Sequence, residues 1–174
     1  KATSKSADIV FEVNSGPATI SVSASFDKGK FNHVAACYDK SKEGQLRIYK
    51  DASFVASSSN LWELNSLSFN DRTFNIGTGS AFRTEESFLH GPERTFTPMQ
   101  TLSGAIDDFR FFHNVLDEEK LKANRQKNIY AQDDLRLYFK FNVPSGTFGL
   151  DDIVLDHSGN SLHSRVTNFI YTLK

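Results

Sequence analysis

Pairs of adjacent carboxylates punctuate the chain, at Glu85-Glu86, Asp107-Asp108, Glu118-Glu119, Asp133-Asp134 and Asp151-Asp152. Two carboxylates flanking a cleft are the equipment of glycoside hydrolysis, so these pairs come first. On a strand, residues i and i+2 share a face, whereas i and i+1 do not. Asp107-Asp108 and Asp151-Asp152 lie in β-patterned stretches, so neither pair is expected to enter one cleft. A glycoside hydrolase-related enzyme is therefore the remote reading, and the chain is expected not to be an enzyme. The histidines His33, His90, His113, His157 and His163 show no H-x-x-x-H spacing, and no nucleophile motif accompanies them. That argues against a zinc site or a catalytic triad.

The elements that must position any site are β-rich. The chain has 174 residues, with 20 basic and 21 acidic side chains and a net charge of −1. An electrostatic nucleic-acid binder needs a marked basic excess, so that class of partner is excluded. Sixteen Phe against one Met and one Trp supply strand formers and core filler. The single cysteine, Cys37, rules out an internal disulfide framework. It leaves an extracellular home open, because a domain of this length can bury enough apolar surface without staples. No apolar run reaches the ~20 residues of a spanning helix, so no membrane insertion is expected. Lys1 to Ser6 is polar, without the apolar region of a signal peptide. With no initiator Met, the chain reads as a piece of something longer.

Period-two alternation dominates the first half. Val10 to Val13 reads as a strand, and Ile20, Val22 and Ala24 alternate with serines as a strand with one wet face. Phe31 to Tyr38 follows, then a polar loop over Asp39 to Gly44, then Leu46, Ile48 and Phe54-Val55. Arg72 to Ile76 is another expected strand. Ser80 to Gln100 lacks periodicity and is expected as a long loop, either functional or a solvated insertion. Leu102 to Phe112 carries the strongest strand pattern. One short helix is expected near 117–127, with Asp117 as N-cap, Glu118-Glu119 in its first turn and a Leu116/Leu121 staple. Leu135 to Phe141, Asp151 to Asp156 and Val166 to Leu173 are the last expected strands. Together they predict an all-β antiparallel sandwich.

Four blocks in order carry a family resemblance. Phe31-Asn32-His33-Val34-Ala35-Ala36-Cys37-Tyr38-Asp39 is followed by Gly44-Gln45-Leu46-Arg47-Ile48-Tyr49 and by Ile76-Gly77. The most specific block, Gly104-Ala105-Ile106-Asp107-Asp108-Phe109-Arg110-Phe111-Phe112, leads into the capped helix. The sequence resembles the laminin-G-like, concanavalin-A-like lectin-glucanase family, which implies a jelly-roll sandwich. It departs from the pattern at Phe31, where Trp is usual, and at Asp51-Ala52, where the hairpin tip is usually Asp-Gly. That turn is expected to use different geometry. Leu137 to Phe141 and Asp156-His157-Ser158-Gly159-Asn160 look like the family's opening strand and turn, yet they follow the helix. Residues 1–130 are thus expected to form a sandwich lacking its opening strands. Residues 131–174 either open a following module or return strands to the same sandwich.

The resemblance implies a structural Ca²⁺ at Asp107, Asp156 and Asn160, with an Asx turn and an Arg110-paired acid as the plainer alternative. It also implies glycan binding, for which Trp62, Tyr130 and Phe88 are the candidate platforms, although Trp62 reads more readily as a buried anchor than as a sugar platform. The expected function is a non-catalytic module of a larger surface protein, binding a glycan, a surface protein or neighbouring modules of its own chain. The alternative is a structural or assembly module of an extracellular or virion-surface protein. Either places it outside the cell, or on a cell or virion surface.

Overall fold

A computed structural model of the chain describes residues 5–15, 18–58, 82–84, 94–96, 104–142 and 153–165. They belong to two units, Lys1–Leu64 with Asp107–Lys174, and Asn65–Ile106.

In the first unit, β1 (Ser6–Ser15) and β2 (Ala18–Asp27) form an antiparallel pair. The alternation seen in the sequence sets its faces. Ile20, Val22, Ala24 and Phe26 are buried, while Ser21, Ser23 and Ser25 face outward. A second sheet has the order β3 (Val34–Asp39), β4 (Gln45–Lys50), β5 (Ser53–Ser57). Leu46 and Ile48 of β4 meet the apolar face of β2 to make the main core. Burying each of these side chains is worth about 1.5–3 kcal/mol. On the opposite face of β4, Tyr49 packs with Ala52 and with Leu121 of α1 (Glu118–Asn124). Asp117 caps that helix by accepting from the Lys120 N–H at 2.8 Å, and Leu116 packs in the same cluster as Leu121.

The chain continues through β8 (Phe109–Phe112), which precedes the helix, and through β9 (Leu135–Phe139), β10 (Ile153–Val154) and β11 (Ser164–Arg165), which follow it. β8 pairs antiparallel with β9, setting Phe109 opposite Phe139 and Arg110 opposite Tyr138. β10 pairs with β11, and Asp156 bridges to Phe139. In the second unit, β6 (Phe82–Thr84) pairs with β7 (Arg94–Phe96). The described residues are thus mostly antiparallel β-structure with one short α-helix, as the alternation predicts.

Several boundaries differ from expectation, each for a local reason. β3 begins at Val34, and Phe31 is exposed. The Asn32 side-chain amide donates to the Asp27 and Lys30 carbonyls, closing a turn there, and His33 pairs its backbone with Asp51. The strand expected from Leu102 starts only at Phe109, because Asp108 is left-handed with φ of 51° and its N–H donates to Asp107 Oδ1. The opposed-face argument for Asp107-Asp108 therefore lapses, since the pair lies in a turn. The helix stops at Asn124, where the Arg125 N–H makes the last bond to the Leu121 carbonyl and the Lys127 N–H turns to the Asn124 carbonyl three residues back. The loop expected over Ser80 to Gln100 holds the β6–β7 pair. β9 ends at Phe139, short of Phe141, whose φ is 53°. The strands expected at Arg72 to Ile76 and Val166 to Leu173 lie outside the described residues.

The Asp51-Ala52 tip keeps the two-residue hairpin form despite lacking glycine, with φ of 51° and 64°. Positive φ at both central residues is the primed turn that matches strand twist. Ala52 accepts a left-handed backbone costing about 1–2 kcal/mol, and its methyl is fully buried against Tyr49 and Leu121.

Candidate functional site

An open groove of about 590 Å³ runs over the outer face of β4 and β5 to the start of α1. Its floor follows from strand alternation. Leu46 and Ile48 point into the core, so Gln45, Arg47 and Tyr49 must face outward. Phe54 is 50% exposed and stands edge-on to Tyr49, with centroids 6.0 Å apart. Val115 and Leu116 continue the apolar floor. At one end Arg47 Nε donates to Gln45 Oε1 at 2.8 Å, and its guanidinium lies 3.9 Å from Asp39. At the other end are Asp117 and Glu118, and Glu118 Oε1 accepts from the Phe54 N–H at 3.3 Å. Burial pushes the Tyr49 hydroxyl up, and burial likewise raises the Cys37 thiol beside it, keeping that thiol protonated and unreactive at neutral pH. The groove offers aromatic and apolar contact with planar polar groups at its margins.

A second cluster centres on Arg110. Its Nη1 donates to the Asn124 carbonyl at 2.7 Å, which also accepts from the Lys127 N–H, and its Nη2 donates to the Lys127 carbonyl at 2.6 Å, tying down the turn that follows the helix. The guanidinium lies 4.9 Å over the Tyr138 ring. The Tyr138 hydroxyl donates to Asp108 Oδ1 at 2.9 Å, and Asp108 Oδ2 is 3.5 Å from Arg110. The ion pair with Arg110 that the plainer alternative gave to Asp107 thus falls to Asp108. Burial raises the Tyr138 hydroxyl, against the pull of Arg110. In this structure the Ile-Asp-Asp-Phe-Arg block joins β8, α1 and β9.

The third cluster is the Asp156–Asn160 turn. Asp156 is buried, and its carboxylate receives four donors. The N–H groups of Tyr138 and Ser158 reach Oδ1, both at 2.9 Å, while Ser158 Oγ at 2.7 Å and the Leu162 N–H at 3.1 Å reach Oδ2. Burial alone would raise this carboxyl, but these hydrogen bonds outweigh it and hold it below the usual carboxylate range. Asn160 Nδ2 donates to the carbonyls of Leu135 and Arg136 and to Ser158 Oγ. Gly159 has φ of +93°, and a Cβ there would lie 2.9 Å from the Ala131 Cβ.

Asp156 and Asn160 therefore share one turn, and Asp107 stands on another segment with Oδ1 accepting from the Asp108 N–H. Among the described residues, no group of three or more His, Cys, Asp or Glu side chains could hold a metal ion. The donor chemistry of the turn is that of a hydrogen-bonded clamp, since its carboxylate oxygens and nearby carbonyls already face protein N–H and O–H groups. It does not fit a calcium cage, which needs those oxygens free. Of the glycan candidates, Trp62 and Phe88 lie outside the described residues. Tyr130 is 89% exposed, close to the turn through its neighbour Ala131. The groove residues Arg47 and Phe54 were missed in the sequence, although Leu46/Ile48 alternation implied an outward face at Arg47 and Tyr49.

Two layers of antiparallel strands closed over one core, with a capped helix on the outer face, define a β-sandwich of lectin type. A family model, the laminin-G-like one of the concanavalin A-like lectin/glucanases superfamily, matches residues 2–122, and the chain belongs to this family. That superfamily embraces both lectins and glucanases. None of the curated proteins or solved structures compared with the chain matches it.

Proposed function

We propose that the chain is a non-catalytic laminin-G-like module of a larger surface protein, and that it binds a glycan or a neighbouring protein through the groove on β4 and β5. The observation that carries this reading is the half-exposed Phe54 standing on Tyr49, with Arg47 and Gln45 beside it. An apolar ring face flanked by planar hydrogen-bonding groups suits a sugar ring or an extended segment. Binding of the wild type, Phe54→Ala and Trp62→Ala to a glycan array and to candidate surface proteins tests it. Loss with Phe54→Ala supports the groove, and loss with Trp62→Ala alone moves the site to Trp62. Binding by none of the three leaves the structural or assembly reading.

One feature favours that second reading. Ile153, Leu155 and Leu162, all in the segment beyond the family match, are about half-exposed apolar side chains. A contact with neighbouring modules of the chain, or within an extracellular or virion assembly, would cover them. For residues 131–174 we favour strands returned to this sandwich over the opening of a following module, supported by the β8–β9 pairing and the Asp156 clamp. A Ca²⁺ shared by Asp107, Asp156 and Asn160 would have to displace four donors from Asp156. Melting with calcium and with chelator tests it: a rise in Tm with calcium sustains the ion, and equal values remove it.

A further inference from the structure

The groove over β4 and β5 carries its charge unevenly. Of its four charged lining residues, Asp39, Arg47, Asp117 and Glu118, three are acidic. At one end Asp39 and Arg47 face each other 3.9 Å apart, with side chains only 10% and 25% exposed. Arg47 Nε also donates to Gln45, and Asp39 takes the Ser41 N–H and hydroxyl. That end is neutral and satisfied. At the other end the carboxylates are held by neutral donors. Asp117 accepts from the Lys120 main-chain N–H at 2.8 Å, and Glu118 from that of Phe54 at 3.3 Å. Lys122 lies 3.9 Å from Glu118, but both side chains are well exposed and solvent screens the pair. The positive end of the short helix offsets about half a charge at most. Negative charge therefore remains beside an apolar floor on which Phe54 is 50% and Val115 42% exposed.

We propose that the groove's occupant is an extended segment of a partner protein that carries a lysine or arginine beside an apolar side chain. This rests on the groove being the binding site and names what the site takes. The apolar side chain lies on Phe54 and Val115, and the cation meets Asp117 and Glu118. In an extended segment, residues i and i+2 share a face, so both groups can point into the groove together. Glu118 is bonded to the Phe54 main chain, which makes the carboxylate and the ring neighbours. A cation is drawn to an aromatic face as well as to a carboxylate. An anionic glycan would be repelled by the same two carboxylates. A neutral glycan would use them as hydrogen-bond acceptors without any dependence on its charge, so charge tells the occupants apart.

The test titrates the whole chain with three blocked peptides, followed by backbone amide NMR shifts. Each peptide has two serine–valine–serine arms around a central lysine, glutamine or glutamate, so the valines and the central residue share a face. Affinity is expected to rank lysine over glutamine over glutamate, with the largest shifts at Arg47, Phe54, Val115 and Glu118. The lysine peptide should bind about three- to tenfold more tightly than the glutamine one at low salt. The double variant Asp117→Asn/Glu118→Gln keeps both acceptor oxygens and should erase that preference, while Phe54→Ala should weaken all three peptides. Equal binding of the lysine and glutamate peptides, a preference that survives the double variant, or no peptide binding overturns the proposal. If the double variant does not fold, salt decides in the wild type. A lysine preference that fades between about 20 and about 500 mM salt supports it, and an unchanged preference refutes it. A neutral glycan bound by the wild type and lost in Phe54→Ala, with no peptide bound, removes this ligand class and keeps the groove as the site. If neither glycan nor peptide binding responds to Phe54→Ala, the groove reading falls as well.

Discussion

Two of the chain's Asp-x-Ser turns, Asp39-Lys40-Ser41 and Asp156-His157-Ser158, bury their aspartates equally, at 7% and 8% exposure. In both, the aspartate accepts from the serine N–H and the serine hydroxyl. They differ in what else the carboxylate touches. Asp39 serves its own hairpin: it caps the 3-10 turn Lys40–Lys42 and has Arg47, on the next strand, 3.9 Å away. Asp156 reaches 18 residues back to the Tyr138 N–H and also takes the Leu162 N–H. Its carboxylate stands in for a strand partner, while the His157 N–H donates to the Tyr138 carbonyl at 2.8 Å. One motif closes a local turn, and its near copy fixes a tertiary junction. Donors from distant segments, rather than burial or motif, set how much such an aspartate contributes.

Removing each carboxylate in turn is the strongest way to break that comparison. Asp156→Ala orphans the buried Tyr138 N–H and the part-buried Leu162 N–H, besides leaving the Asp-x-Ser turn open, and we expect a loss of about 3–5 kcal/mol by urea unfolding. Equal losses for Asp156→Ala and Asp39→Ala would show that the tertiary donors add nothing. The depressed Asp156 carboxyl gives a second reading of the same contrast. Its stabilisation is present above the unfolded carboxyl value of about 3.9 and is lost as pH falls through the folded value. Asp156→Asn should therefore flatten the acid limb below about pH 4.

Gly159→Ala comes next. It combines left-handed strain of about 1–2 kcal/mol with a clash against Ala131 of about 1–3 kcal/mol, so a loss of about 2–5 kcal/mol is expected by the same measurement. Asp39→Ala should cost only about 1–2 kcal/mol, as a cap within one hairpin does. The smallest effect is expected at Ala52. Glycine there relieves about 1–2 kcal/mol of left-handed strain but removes a buried methyl worth about 0.8 kcal/mol. Ala52→Gly should leave Tm unchanged or slightly raised. A clear fall would mean that packing against Tyr49 and Leu121 dominates the turn.

Much of this architecture is legible because its causes are local. Ser21, Ser23 and Ser25 between apolar residues fix which face of β2 is wet, and Leu46 and Ile48 do the same for β4. Asp117 and the Leu116/Leu121 pair place the start of the helix. The family follows from blocks of contiguous residues, and the match to residues 2–122 agrees. The end of the helix was not legible, since the turn that follows it is held by Arg110, 14 residues from the carbonyl it takes at Asn124. The turn at Asp51-Ala52 misled for a related reason. Its lack of glycine suggested another geometry, while the twist of β4 and β5 and the burial of the Ala52 methyl hold both residues at positive φ.

The sequence by itself determined the strand faces, the helix start and the sandwich class, because these rest on residues within a few positions of each other. Only the tertiary structure decided that β9 pairs with β8, that Asp108 rather than Asp107 meets Arg110, and that Asp156 is filled by protein donors. It alone also placed Phe54 beside Arg47 in one groove. Each of those depends on which distant backbone groups come within hydrogen-bonding reach. Periodicity and motif carry no record of that, because a hydrogen bond between segments is a property of their packing and not of either segment alone.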